Sequence, residues 1–167
     1  VIKRMEKMLA KYGRKIIGWD EILEGGLSPE ATVMSWRGTS GGISAALQKH
    51  DVIMTPGSGG LYLDHYQGDY KIEPVTIPSA PAYLSRTYNY EPVPDTIKSL
   101  GLEKHILGVQ CNNWSEYMYS NAKREYQMYP RALALAEIAW SPLKRKNFKD
   151  VCRRLDANCD RFDEHHA

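Results

Sequence analysis

Short apolar runs alternate with amphipathic segments along most of the chain. Four of the runs are continuously apolar, which is typical of strands buried on both faces of a parallel sheet. They predict strands over residues 15–19, 32–36, 51–55 and 105–110. Apolar residues at helical spacing predict helices over 2–12, 41–50, 130–140 and 148–162, and Gly13 is placed to end the first of them. The stretch 65–104 is rich in Pro and Tyr and is predicted to be mostly irregular.

Strands that alternate with helices predict parallel βα units. Four such units in 167 residues are half of what a (β/α)8 barrel contains. A chain that begins in a helix, with no strand before it, fits the second half of a barrel better than a complete doubly wound sheet. We therefore expect an α/β fold in which residues 1–167 form one segment, the C-terminal half (about strands 5–8 with their helices) of a (β/α)8 barrel.

The amino-acid composition indicates which kinds of binding partner to expect. With 22 Lys and Arg against 20 Asp and Glu, the net charge of +2 gives no reason to expect nucleic acid. No apolar run approaches the length of a membrane span. Eleven Tyr and four Trp stand against two Phe, so most rings carry a polar group. Such rings both stack on and hydrogen-bond a polar ligand such as a sugar.

Cysteine and histidine positions suggest no metal or cofactor. Cys111, Cys152 and Cys159 form no CxxC pair, and Cys152 and Cys159 lie about two helical turns apart, too far for a disulfide. We expect buried free thiols. His165 and His166 stand near the end of the sequence without a metal-ligand spacing, so no cofactor is predicted.

Tryptophans mark the ends of three predicted strands. Trp19, Trp36 and Trp114 follow the first, second and fourth strands, and a charged residue stands within two positions of each. Barrel enzymes build their active sites from the C-terminal ends of their strands. A single such Trp would be interpreted as a core residue, but three at equivalent positions favour a ligand site. Indole faces with carboxylates at their edge are suited to holding a sugar.

Five motifs in order carry a family resemblance. They are GWDEI (18–22), VMSWRG (33–38), LYLDHYQ (61–67), GVQCNNWSEY (108–117) and YPRALALAEIAW (129–140). The series resembles the second half of the catalytic barrel of glycoside hydrolase family 20, the β-N-acetylhexosaminidases, over nearly the whole chain. Each motif alone is weak, and five in order are a strong signal.

The resemblance implies a role for each site residue. The three strand-end tryptophans would wall in a terminal N-acetylhexosamine and its acetamido methyl group. Tyr62 would bind the acetamido oxygen, and Asp64 and Glu116 would bind sugar hydroxyls. The family hydrolyses terminal N-acetylhexosamines with the substrate's own acetamido oxygen as nucleophile, which is an exception to the two-carboxylate scheme. The rings would hold that oxygen against the anomeric carbon.

The resemblance also implies a missing part. The family's acid and its Asp partner lie in a His-x-Gly-Gly-Asp-Glu motif that this chain lacks, and an early-barrel Arg is absent as well. Asp20-Glu21 lacks the preceding residues, so it is not assigned that role. The two residues could line the pocket, but helix capping or a structural ion pair is at least as good an interpretation. We expect the chain alone to be inactive and its partner to be the N-terminal half of the barrel. Relatives in bacteria are often exported, which implies a periplasmic or secreted protein.

Several other residues are expected to support the fold. Arg37 is predicted to pair with a carboxylate, and His65 to lie at the rim of the site. The tyrosines at 83, 88 and 90 are expected to pack the long loop onto the barrel mouth and shape further subsites. The final motif is expected to be structural through Arg131, Glu137 and Trp140.

An open half-barrel would leave strand edges and apolar side chains uncovered. Such surfaces favour association, most simply a two-fold homodimer, unless the loop 65–104 folds back over the opening. The residues expected to be uncovered are Ile16, Ile17, Val33, Met34, Val52, Ile53, Ile106 and Val109. Two other functions remain open: a sugar-binding module without catalysis, and a purely structural domain whose tryptophans are buried and share no cavity.

Overall fold

The computed structural model describes residues 1–158, which contain one four-stranded parallel sheet. The strands are β1 (Ile17–Trp19), β2 (Thr32–Ser35), β3 (Val52–Met54) and β4 (Ile106–Val109), and their order in space is their order in the chain. All three neighbouring pairs are parallel, as the alternating pattern predicted. Each strand is shorter than predicted because its terminal residues already belong to loops.

Seven helices connect or flank these strands in the described residues. They are α1 (Ile2–Ala10), α2 (Ser40–Leu47), α3 (Leu84–Asn89), α4 (Asp95–Ser99), α5 (Asn121–Met128), α6 (Arg131–Trp140) and α7 (Phe148–Asp156). The stretch 65–104 is mostly irregular, as predicted, and its two short helices are α3 and α4. The helix α5 was not predicted. Gly13 follows α1 with φ +64°, the left-handed conformation expected after a helix.

The helix α2 covers one face of the sheet. Val33, Val52 and Met54 point to this face and are fully buried, together with Ala45 of the helix. A Cβ atom on Gly42 would lie 2.7 Å from the Met54 sulfur, so a glycine is needed for this close approach. This layer is the main hydrophobic core.

The other face of the sheet is partly open. Met34 and Ile53 are register partners that point to it and stay half-buried, and Ile17 on the edge strand β1 is 54% exposed. Leu107, at a register shift in the other edge strand β4, is 58% exposed. The prediction that Val33 and Val52 would be uncovered was wrong, and Ile16 and Ile106, also predicted to be uncovered, pack against the same core. Side chains alternate between the two faces of a strand, so neighbours along a strand cannot share the open side.

A second core lies among the helices. Tyr88 of α3 packs there with Ala134, Ile138 and Val151, and the backbone N–H of Asn147 donates to its hydroxyl at 2.6 Å. Tyr88 therefore joins helices rather than covering a barrel mouth, contrary to the prediction. Its neighbours at 83 and 90 are half exposed and partly buried, respectively.

The end of the described chain is held by ion pairs. Glu137 accepts a hydrogen bond from Arg154 at 2.7 Å, which ties α6 to α7, whereas Trp140 is 88% exposed. Cys111 and Cys152 are free thiols and only partly buried, while Cys159, His165 and His166 lie outside the described residues. Within residues 1–158 no helix could cross a bilayer, and no cluster of His, Cys, Asp and Glu could hold a metal ion.

Candidate active site

An open cavity of about 470 Å³ lies at the C-terminal ends of the strands. That volume is within the range of small-molecule sites. Its lining brings together all six residues that the sequence indicated and three more: Trp19, Glu21, Trp36, Tyr62, Asp64, His65, Ile77, Trp114 and Glu116. Residues almost a hundred positions apart in the chain therefore share one site.

Aromatic rings form a continuous wall of this cavity. The rings of Trp19 and Trp114 lie 5.7 Å apart at an angle of 49°. Trp36 stacks on Tyr62 at 6.4 Å, and the edge of Trp114 meets the Tyr62 ring at 6.5 Å. Trp114 is 41% exposed, so the wall is reachable from solvent. These distances are typical of favourable aromatic pairs.

Strand ends place two of these rings, and a backbone bridge to a distant segment places a third. Trp19 closes β1, and Trp36 comes directly after β2. Tyr62 returns to the sheet beside Asn112: the N–H of Leu63 donates to the Asn112 oxygen at 2.7 Å, and the N–H of Asn112 donates to the Leu61 oxygen at 2.8 Å. This added parallel bridge aligns the Tyr62 segment with the segment that leads to Trp114.

The contacts of Asn112 explain why an amide follows β4. Its side-chain N–H donates to the Thr55 hydroxyl at 2.9 Å, and its oxygen accepts from Gln110 at 2.8 Å. The amide therefore links the ends of β3 and β4 just below the site. A buried amide with both ends satisfied fixes geometry without a desolvation penalty.

Tyr62 is suited to donating a hydrogen bond into the cavity. Burial raises the pKa of its phenol, while Asn112 and Trp114 partly offset that effect. The hydroxyl therefore keeps its proton at neutral pH. A protonated phenol can donate a hydrogen bond to a carbonyl oxygen.

Asp64 is a buried carboxylate that faces the cavity. Only 1% of the residue is exposed, and both carboxylate oxygens are shielded from solvent. Burial raises the pKa of Asp64, and the backbone N–H groups of Asp64 and Trp114, followed by the charge of Arg131, partly oppose that shift. A carboxylate in the lining of a cavity is a strong acceptor for the hydroxyl donors of a ligand. Glu116 lies at the rim of the same cavity and is exposed.

Replacing Asp64 by Asn is expected to stabilise the fold. A raised pKa means that the folded state disfavours the ionised form, so this cost is fully present above the raised pKa and disappears as the pH falls through it. We expect Asp64→Asn to increase the free energy of unfolding at pH 7 by about 1 kcal/mol, and less at acid pH. Thermal unfolding at both pH values measures this.

Asp95→Asn is the control, because its side chain is 99% exposed. A surface change of this kind is expected to alter the unfolding free energy by less than about 0.5 kcal/mol. Equal effects of the two substitutions at pH 7 would contradict the buried-charge interpretation of Asp64.

The Asp20-Glu21 pair has two separate roles. Asp20 is buried and accepts a hydrogen bond from Arg37 Nε at 3.0 Å, which is one of the roles left open for Asp20 and the carboxylate pairing predicted for Arg37. Glu21 lines the cavity, and its carboxylate accepts from Trp36 Nε1 at 3.1 Å. That hydrogen bond lowers the pKa of Glu21. Glu21 therefore fixes the orientation of the Trp36 ring.

His65 and Ile77 complete the cavity wall. The His65 ring lies 5.6 Å from the Tyr62 ring, and its backbone pairs with that of Ile77. Burial lowers the pKa of His65, with Arg131 and Arg86 adding to the effect, so the imidazole is neutral at pH 7. His65 was expected at the rim and lies in the lining. Ile77 carried no sequence signal, because a loop places it there.

The sequence matches relatives that are glycosidases. It is 59% identical over 166 residues to the β-hexosaminidase of Porphyromonas gingivalis. That alignment covers 98% of this chain and 21% of that protein. It is 34% identical over 137 residues to the β-hexosaminidase of Vibrio furnissii, in an alignment that covers 81% of this chain and 22% of that protein. The chain thus spans about a fifth of the length of these relatives.

Solved structures share the fold of this chain. The GH20 exo-β-N-acetylglucosaminidase of Vibrio harveyi, solved in complex with N-acetylglucosamine, superposes with a TM-score of 0.87 at 29% identity, over 95% of this chain and 25% of that one. The chitobiase of Flavobacterium johnsoniae gives 0.76 at 26% identity, over 98% and 23%. The family described as glycosyl hydrolase family 20, catalytic domain, matches residues 1–143. The chain therefore belongs to glycosyl hydrolase family 20.

Proposed function

We propose that this chain supplies the acetamide and sugar pocket of an exo-acting β-N-acetylhexosaminidase. The observation that supports this most is one cavity whose wall is made of Trp19, Trp36, Tyr62 and Trp114 and whose polar groups include Asp64. A purely structural role for the tryptophans does not explain why they share an open cavity. The relative from Vibrio harveyi that binds N-acetylglucosamine supports the same ligand class.

The cavity suits an N-acetylhexosamine at the end of a glycan. The indole faces cover the apolar side of a sugar ring and the acetamido methyl group. The Tyr62 hydroxyl donates to the acetamido oxygen, and Asp64 and Glu116 accept hydrogen bonds from sugar hydroxyls. A carboxylate acceptor is stronger than a neutral one, so two of them help fix the orientation of the ring.

The proposed reaction is substrate-assisted and retains the anomeric configuration. The acetamido oxygen attacks the anomeric carbon as a general acid protonates the leaving oxygen, and water then opens the resulting oxazolinium ion. The aromatic wall holds the acetamide in the attacking position, so the nucleophile needs no further ordering. The Tyr62 dipole points at the oxygen whose charge changes during the step.

The general acid is proposed to come from the other half of a (β/α)8 barrel. The chain contains no His-x-Gly-Gly-Asp-Glu sequence, and one face of its sheet is partly open. We place the chain as the C-terminal half, about strands 5–8, of the catalytic barrel. The N-terminal half would then cover the open face and bring the acid to the cavity.

Kinetics on two aryl glycosides test this function. The complete enzyme is expected to hydrolyse an aryl N-acetyl-β-glucosaminide and to leave the matching aryl β-glucoside, which lacks the acetamide, almost untouched. Tyr62→Phe is expected to lower kcat about 10²–10³-fold, as does removal of other preorganised donors. Equal rates on the two glycosides would refute substrate assistance. Binding of N-acetylglucosamine without turnover of either glycoside would favour a non-catalytic sugar-binding module.

The isolated chain is expected to self-associate through the open face of its sheet. Ile17 on β1 and Leu107 on β4 are more than half exposed, at 54% and 58%. Full burial of such a side chain is worth about 1.5–3 kcal/mol, so a two-fold homodimer would be favoured. Light scattering at micromolar concentration is expected to give twice the monomer mass of 19.0 kDa.

A matched pair of substitutions locates the interface. Leu107→Lys is expected to yield a monomer, whereas Leu143→Lys should not, although Leu143 is equally exposed at 58% and lies after α6. A monodisperse monomer of the unaltered chain, with no dye-accessible apolar surface, would contradict the prediction.

A further inference from the structure

Arg131 is a buried cation whose hydrogen-bond acceptors are four backbone carbonyls and one side-chain amide oxygen. It is the first residue of α6, and none of its surface is exposed. Nη1 donates to the oxygens of His65 and Ala82, both at 3.1 Å. Nη2 donates to the oxygen of Leu63 and to both the backbone and side-chain oxygens of Gln127. The guanidinium therefore joins backbone segments that are far apart in the chain.

Two of these carbonyls flank Asp64. Leu63 and His65 are its neighbours, so Arg131 holds the backbone on either side of a buried carboxylate that faces the cavity. The same short segment carries the Tyr62 ring. On its other side the segment is hydrogen-bonded to Asn112 through Leu61 and Leu63.

The remaining contacts join this segment to its surroundings. Ala82 lies just before α3, and its N–H donates to the Tyr66 oxygen at 2.8 Å. The Thr76 hydroxyl donates a hydrogen bond to the backbone oxygen of Asp64. Arg131 thus connects α6 and the start of α3 with the part of the loop that lines the cavity. The fixed planar fork of a guanidinium can serve several carbonyls at once, which a lysine ammonium cannot reproduce.

The charge of Arg131 also acts on the carboxylates near it. Burial lowers the pKa of Arg131 to about 10, which leaves the guanidinium positive at neutral pH. Asp64 and Glu73 are the carboxylates whose charges act on it in the opposite direction. A buried cation that only holds helices together would not need to lie behind the pocket carboxylate.

We propose that Arg131 is a positioning residue, which acts through the carbonyls of Leu63 and His65 to fix Tyr62 and Asp64 against the ligand. It does not touch substrate itself. The kinetic consequence rests on the function proposed above, whereas the placement of the segment does not. A misplacement of about 1 Å in a substrate-positioning group can cost about 100-fold in rate.

Three variants of the complete enzyme test the proposal. Arg131→Met removes the donors, Arg131→Lys keeps the charge but not the fork, and Ile138→Ala damages the core side of the same helix without contacting the segment. Ile138 is 5% exposed and packs with Tyr88, Ala134 and Val151. We expect kcat/KM on an aryl N-acetyl-β-glucosaminide to fall about 100-fold for Arg131→Met and about tenfold for Arg131→Lys, with kcat reduced more than KM is raised. Ile138→Ala should lower the unfolding temperature and leave kcat/KM within about twofold.

Crystal structures of the same variants separate this proposal from the proposed function. The segment 62–65 is expected to shift by about 1 Å in the arginine variants and not in Ile138→Ala. If Arg131→Met does not fold, Arg131→Lys decides. An unmoved segment together with a kcat/KM within threefold of the unaltered enzyme would overturn the positioning role. If the unaltered enzyme hydrolyses neither aryl glycoside, the proposed function fails, and the displacement of the segment still decides the role of Arg131.

Discussion

Trp114→Ala in the complete enzyme is expected to lower kcat by about 100-fold and to raise KM much less. The Trp114 ring contacts both Trp19 and Tyr62, at 5.7 and 6.5 Å between ring centres, so it supports the wall on two sides. If the acetamide is the nucleophile, its position matters most at the transition state. Loss of the ring then reduces the rate of the chemical step more than it weakens ground-state binding.

Steady-state kinetics on an aryl N-acetyl-β-glucosaminide measure both constants. Trp140→Ala is the matched control, since the same residue type stands on α6 outside the cavity and is 88% exposed. It is expected to leave kcat and KM unchanged. A change confined to KM in Trp114→Ala would mean that the indole holds the sugar without ordering the nucleophile.

The strand-end tryptophans were predictable because their placement is local. Each stands at or soon after the end of an apolar run, and parallel strands bring their C-terminal ends to one edge. Trp19 and Trp36 needed nothing more than the strand bounds. Tyr62 needed a longer loop to return to the sheet, and only the family resemblance indicated that it would.

The helix α5 was not predictable from apolar periodicity. The residues that it buries are Lys123 and Gln127, not aliphatic ones. Lys123 is accommodated because its ammonium donates to the Pro74 oxygen at 3.0 Å, which a sequence pattern does not reveal. A Ser120 side chain that accepts from the Lys123 N–H at 3.1 Å is the local signal for the start of this helix.

The roles of Arg131 and Ile77 could not be predicted from the sequence, for a different reason. Their roles depend on contacts between segments far apart in the chain, such as Arg131 with Leu63 and His65. The motif containing Arg131 was interpreted as structural, which its burial and carbonyl contacts support. The same contacts place it directly behind the site. Sequence alone does not distinguish an arginine that joins two helices from one that holds a pocket segment.

The isolated 167-residue chain is expected to hydrolyse no aryl N-acetyl-β-glucosaminide at a measurable rate. General acid catalysis contributes about 10²–10⁴-fold, and the acid motif of the family is missing from this sequence. Asp20-Glu21 is the pair that could replace it, and the structure argues against that. Asp20 is bound to Arg37 at 3.0 Å and is only 2% exposed, so it is held away from an acetamide.

Glu21 has the wrong ionisation for an acid. A general acid must hold its proton near neutral pH, which requires a raised pKa. The hydrogen bond from Trp36 lowers the pKa of Glu21, so this carboxylate is ionised at the pH where the enzyme would work. Purified chain, assayed beside its Trp114→Ala and Glu21→Gln variants, tests this expectation. Turnover by the unaltered chain above that of both variants would contradict it and make Asp20-Glu21 candidates for the acid, whereas equal background rates in all three would support an acid from the other half of the barrel.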